Sequence, residues 1–96
     1  MKITVRSAVG ADLPSLLTLY GELNPDDAPL PREKADAVWA TISSQQGRTV
    51  LVADAEGVVV GTADCLVLSN LTRGGRAILF VENVVVAEIP AARRRA

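Results

Sequence analysis

The chain has 96 residues, 49% of them hydrophobic, and a formal net charge of −1. This length makes one domain at most, and the apolar fraction fits a packed core rather than a disordered segment. With three aromatic residues (Tyr20, Trp39, Phe80), one cysteine and no histidine, the chain has few stacking platforms for nucleic acid. It has no Ser-His-Asp triad or Cys-His pair, and little basis for a zinc site.

Lys2 to Ser7 alternates polar and apolar residues, with Ile3 and Val5 on one face, and reads as a short strand. A helical pattern follows: Leu13, Leu16, Leu17 and Tyr20 recur at helix-face spacing. Its start is either Asp12 as a direct cap, with Pro14 tolerated in the first turn, or a cap at Val9. Gly21 to Pro31 holds three prolines and the pair Asp26-Asp27, and reads as a loop. Pro31 suits the first turn of a second helix, in which Ala35, Val38, Trp39 and Ile42 repeat the spacing, and Gly47 lies just past its end.

From Thr49 the periodicity becomes that of strands. Thr49 to Ala53 is β-branched and apolar, Glu56-Gly57 marks a tight turn, and Val58 to Leu68 is the return strand, interrupted by Gly61. Ser69 to Gly75 is a polar connection. Arg76 to Ala87 reads as a long strand, apolar enough to be covered on both faces. The element order is β-α-α-β-β-β, an α/β (α+β) class with a mixed, mainly antiparallel sheet packed by two helices.

No signal-peptide core opens the chain, no apolar run is long enough to span a membrane, and the single thiol fits a reducing cytoplasm. The expectation is a cytoplasmic domain without a nucleic-acid or membrane partner. Tyr20 and Trp39 read as core residues, and Cys65 as a small buried hydrophobe.

Several segments in this order resemble the N-terminal half of the GNAT superfamily of N-acetyltransferases. They are Ile3-Thr4-Val5-Arg6-Ser7-Ala8 leading to Asp12-Leu13, then Leu51-Val52-Ala53, Val60-Gly61-Thr62-Ala63 and Glu82-Asn83-Val84-Val85-Val86. Asn70-Leu71-Thr72-Arg73-Gly74-Gly75-Arg76 is similar to small bacterial members. The resemblance implies direct transfer of acetyl from acetyl-CoA to an amine. It implies Val84, Val85 and Val86 as backbone facing the pantetheine arm, and Arg93, Arg94 and Arg95 as the start of a turn that wraps the pyrophosphate, where unsatisfied N–H groups attract anions. Asn24, Asp26 and Asp27 fall in the loop that borders the acceptor site in this family, where the charge of the two aspartates would draw a cationic amine; the alternative is a turn capped by Asx side chains.

Glu82 is the candidate catalytic residue. The attacking amine must be neutral, so a carboxylate acting as general base has a task, and its apolar strand would desolvate it. The alternative is a structural carboxylate, at a sheet rim or paired to an arginine such as Arg76. Asn83 reads as structural. The tyrosine general acid of many family members has no counterpart, since no tyrosine follows Tyr20. Glu88-Ile89-Pro90-Ala91-Ala92 spaces the arginines further from the valines than the family pattern, and no glycine follows Arg95. The expectation is one domain over residues 1–96 with the C-terminal part of the fold missing. Three readings stay open: an acetyltransferase, a non-catalytic domain that associates through its exposed fourth strand, as a homodimer or with a partner that completes the sheet, or a sensor that binds CoA without catalysis.

Overall fold

The computed structural model describes residues 1–88. In chain order the elements are β1 (Ile3–Ser7), a short 3-10 turn (Gly10–Asp12), α1 (Leu13–Leu23), α2 (Arg32–Ser44), β2 (Arg48–Ala55), β3 (Val58–Leu68), a second 3-10 turn (Arg73–Gly75) and β4 (Ile78–Val86). The strands lie in the order β1-β2-β3-β4, and every pairing among them is antiparallel. This is the mainly antiparallel α+β arrangement with two helices that the sequence implies.

Local chemistry explains the boundaries. Both starts suggested for the first helix are used: Val9 caps the 3-10 turn, and Asp12 leads from it into α1 with Pro14 in the first turn, where a missing N–H is tolerated. The helix continues to Leu23, so Gly21 is helical and the loop begins only at Asn24. A single glycine costs about 1 kcal/mol in a helix, too little to stop one whose Leu13, Leu16 and Leu19 are buried. Pro31 precedes α2 as its cap rather than entering its first turn.

Gly47 has φ +81°, and a Cβ there would lie 2.8 Å from the Val67 carbonyl oxygen. Only glycine lets this turn pass so close to β3. Glu56 and Gly57 both have positive φ, at 52° and 94°, as a two-residue hairpin turn requires.

The core lies on one face of the sheet. Leu16 packs with Val50 and Val52, and Ala8, Tyr20, Trp39, Ile42 and Val59 close around them. Helix α1 rests on β3 and β4, and α2 rests on β2. The opposite face has no covering element among the described residues: Val5 is 65% exposed and Val86 72%, and Val67, Leu79 and Val81 are exposed as well. Ile3 shares that exposure. Cys65 is half-buried rather than buried, because its strand position turns it toward this open face.

Arg6 and Asp12 tie β1 to the helical layer. Arg6 donates to both Asp12 oxygens, at 2.7 and 2.9 Å, and its Nε donates to Asp54 at 3.2 Å. The Val9 N–H donates to Asp12 Oδ2 at 2.8 Å. The Arg6 hydrogen bonds hold the Asp12 carboxyl below its ordinary range, with burial opposing them. No helix among the described residues is long and apolar enough to cross a membrane.

Candidate active site

Strand β4 departs from regular pairing where the motif residues fall. Thr62 pairs with Val85 and Asp64 with Glu82, so two steps along β3 match three along β4. The extra residue is a β-bulge, and Asn83 within it has φ 53°. Asparagine tolerates the left-handed region better than most residues, which gives Asn83 a structural reason to be there. A bulge bends its strand and re-aims side chains on either side. Period-2 alternation from Glu82 would put Val84 and Val86 on its face of the sheet. The bulge puts Val85 there instead, opposite buried Thr62.

Before the bulge, the strands place charge beside apolar walls. Asp64 is 6% exposed on the helix-covered face, and Arg48 Nε donates to its Oδ1 at 3.0 Å while Nη2 donates to its Oδ2 at 2.5 Å. Gln45 accepts from Arg48 Nη1 at 3.1 Å. The ion pair raises the Arg48 pKa, so its charge is secure at any working pH. Nearby, burial is the main cause that pushes the Tyr20 hydroxyl pKa up, with Thr62 opposing.

Glu82 is the cross-strand partner of Asp64. A cleft of about 270 Å³ opens there, lined by Arg48, Asp64, Leu66, Phe80, Glu82 and Asn83. Glu82 is exposed, contrary to the desolvation expected from its apolar neighbours: the helical layer covers β3 at Asp64 but leaves this part of β4 open. It forms no ion pair with Arg76 or any other basic residue among the described residues.

Val84, Val85 and Val86 follow the bulge on the edge strand. One side of β4 bonds to β3, and the other has no strand neighbour in the described sheet, so backbone N–H and C=O groups are available along it. An extended arm carrying amides fits such an edge. Asn24 and Asp27 line a different cleft, of about 450 Å³, with Leu17, Thr18, Tyr20 and Pro25. Asp26 is exposed in the same loop but does not line this cleft, and the Asp27 N–H donates to the Asn24 carbonyl at 3.1 Å. The structure thus brings Glu82 and Asn83 together and gives the loop residues a separate surface. Arg93, Arg94 and Arg95 lie outside the described residues.

The sequence alone assigns no role to Arg48 and Asp64. A signal was present: Asp64 is a carboxylate inside an apolar strand, the same feature that drew attention to Glu82. Its partner, sixteen residues earlier, becomes visible only with the strand register.

No protein-family model and no curated protein matches the sequence. Solved structures do. A protein described as an acetyltransferase from Agrobacterium tumefaciens strain C58 is 44% identical, with a TM-score of 0.87, over 94% of this chain and 62% of that one. A Trypanosoma brucei acetyltransferase is 29% identical, with a TM-score of 0.74, over 99% of this chain and 65% of that one. The aminoglycoside N-acetyltransferase AAC(6')-Iy, solved with the bisubstrate analog CoA-S-monomethyl-acetylneamine, shares the fold at 23% identity and a TM-score of 0.69, over 99% of this chain and 63% of that one. The chain spans less than two thirds of the length of each of these three proteins.

Proposed function

We propose, on the premise that the chain carries part of the GNAT acetyltransferase fold, that it takes part in acetyl transfer from acetyl-CoA to an amine. The observation that carries this reading is the one-residue bulge in β4. It lies between an exposed carboxylate, Glu82, and Val84 to Val86, on a strand whose outer edge has no neighbour among the described strands. Acetyl-CoA, when bound, supplies the acetyl group as a thioester. The backbone of Val84, Val85 and Val86 would hold the pantetheine arm by strand-like hydrogen bonds, and Arg93 to Arg95, outside the described residues, would attract the phosphates.

Glu82 accepts a proton from the incoming ammonium, directly or through one water, and leaves a neutral nitrogen able to attack. A C–N bond forms as the C–S bond breaks. The sulfur leaves as a thiolate and takes up the second proton of the nitrogen by way of water, and Glu82 returns the first proton to solvent. The acidic loop at Asn24, Asp26 and Asp27 attracts the cationic acceptor from solution.

Isothermal titration of the 96-residue chain with acetyl-CoA, and with desulfo-CoA beside it, tests the cofactor step. Micromolar binding is expected, and no heat from a folded chain would overturn the reading. Where turnover is measurable, Glu82→Gln should lower it and flatten the acidic limb of the pH–rate profile.

One observation favours a second reading, an association module. The sheet face that carries Val5, Val67, Leu79, Val81 and Val86 is exposed, and β4 is an edge. Apolar surface of this kind pairs with another chain when it can. Size-exclusion chromatography with light scattering separates the readings: a dimer supports association, and a monomer at tens of micromolar counts against it.

A further inference from the structure

We propose that the Glu82 cleft selects an acceptor with one cationic centre on an apolar body, a primary alkyl or arylalkyl monoamine. The inference rests on the acetyl-transfer reading and names the substrate class for that site. Two carboxylates face each other across β3 and β4 at Asp64 and Glu82, and two unpaired carboxylates at that spacing would attract a diamine. They are not equivalent. Both oxygens of Asp64 are engaged by Arg48, which leaves Glu82 as the one carboxylate of the cleft without a basic partner among the described residues. A single ammonium is matched, and a second would meet the Arg48 guanidinium as a like charge.

The rest of the lining decides what the ammonium is attached to. Leu66 and Phe80 are cross-strand partners and form an apolar wall beside the charges. An alkyl or aryl body covers this wall and loses water favourably. The Phe80 ring also attracts a nearby cation through its face. An amino sugar would instead bring hydroxyl groups against Leu66 and Phe80, where they lose water without gaining partners. The volume, about 270 Å³, lies just under the roughly 300–1,000 Å³ usual for drug-sized ligands, and suits a small acceptor.

The test is an amide-resolved NMR titration of the full 96-residue chain, with and without saturating CoA. The probes are 2-phenylethylamine, spermidine, glucosamine and the uncharged 2-phenylethanol. Saturating shifts at Leu66, Phe80, Glu82 and Asn83 are expected with 2-phenylethylamine, at an affinity at least about tenfold above the other three probes. Glu82→Gln and Phe80→Ala, both at exposed positions, should each weaken it by about tenfold while the remaining spectrum is kept. Equal binding of the alcohol, tighter binding of spermidine or glucosamine, or insensitivity to Glu82→Gln would overturn the proposal. A parallel acetyl-CoA titration, read at Val84 to Val86, keeps the two ideas apart. Response there without an amine response overturns the monoamine assignment alone. An amine response without one from acetyl-CoA sustains the cleft assignment and removes the acetyl-transfer reading. Silence in both arms from a folded chain overturns both.

Discussion

Asp64 and Glu82 stand opposite each other across β3 and β4, yet one is buried with both oxygens on Arg48 and the other is exposed with no basic partner among the described residues. The same side-chain chemistry at neighbouring positions therefore does two jobs. Asp64 belongs to the framework, and Glu82 lines the cleft without a basic partner among the described residues.

Removing the framework partner should be costly. Arg48→Leu strands a buried carboxylate, and loss of one member of such a pair costs about 3 kcal/mol. Arg32 also pairs with a carboxylate, Asp36, but both are exposed on α2. Arg32→Ala should change stability by only about 0.5 kcal/mol, as exposed helix pairs do. Urea unfolding of the two variants decides the contrast, and equal losses would contradict the structural role given to Arg48.

Asp12 carries a pH signature. Its carboxyl is held below the ordinary value, chiefly by the Arg6 hydrogen bonds. Between that lowered pKa and the ordinary value of about 3.9, the unfolded chain binds the extra proton. Asp12 therefore stabilises the fold fully above about pH 4, and the contribution is lost as pH falls through the folded-state pKa. Asp12→Asn should lose about 1–3 kcal/mol at pH 7, since Arg6 and the Val9 N–H lose a charged partner. The gap to wild type should close in acid. Unfolding curves at pH 7 and pH 3 test both statements.

Gly47 offers a steric test. With φ +81° and the Val67 carbonyl oxygen 2.8 Å from any Cβ, Gly47→Ala meets both backbone strain and a clash with backbone. The left-handed conformation alone costs about 1–2 kcal/mol, and the clash adds to it. Gly21, mid-helix with open space around its Cβ position, should behave oppositely: Gly21→Ala gains about 0.5–1 kcal/mol. Thermal melts of the two alanine variants should move in opposite directions.

Asn83 tests the bulge. Asn83→Gly keeps the positive φ without strain and should leave stability within about 0.5 kcal/mol, whereas Asn83→Val puts a β-branched residue at φ 53° and should cost about 1–3 kcal/mol. Hydrogen exchange along β4 should speed up in the valine variant and stay near wild type in the glycine variant.

Much of this architecture is legible in the residues. Leu13, Leu16, Trp39 and Ile42 announce two helices by their spacing, Gly47 and Glu56-Gly57 mark turns, and the strands follow in the order their periodicity gives. What the sequence hides depends on register. Gly21 reads as a breaker because propensity is local, whereas the leucines before it are held by the sheet. The run from Glu82 to Val86 gives no sign of an inserted residue, so alternation assigns the wrong valine to the face of Glu82. The Arg48–Asp64 pair joins residues on adjacent strands that no local pattern connects. Glu82 looked destined for burial beside its valines, but exposure is decided by where α1 and α2 stop.

The extra residue in β4 can be removed without changing which residues pair on either side of it. A chain that lost Asn83 would still set Glu82 opposite Asp64 and Val85 opposite Thr62, with Val84 now paired squarely to Ala63. It would be a straighter ladder with one less residue in a strained conformation. The pairing of β3 with β4 would then be regular, while the irregularity between β2 and β3 at Ala53 and Asp54 would stay. What the extra residue adds is the bend of the strand, since Val85 would face the side of Glu82 in either case.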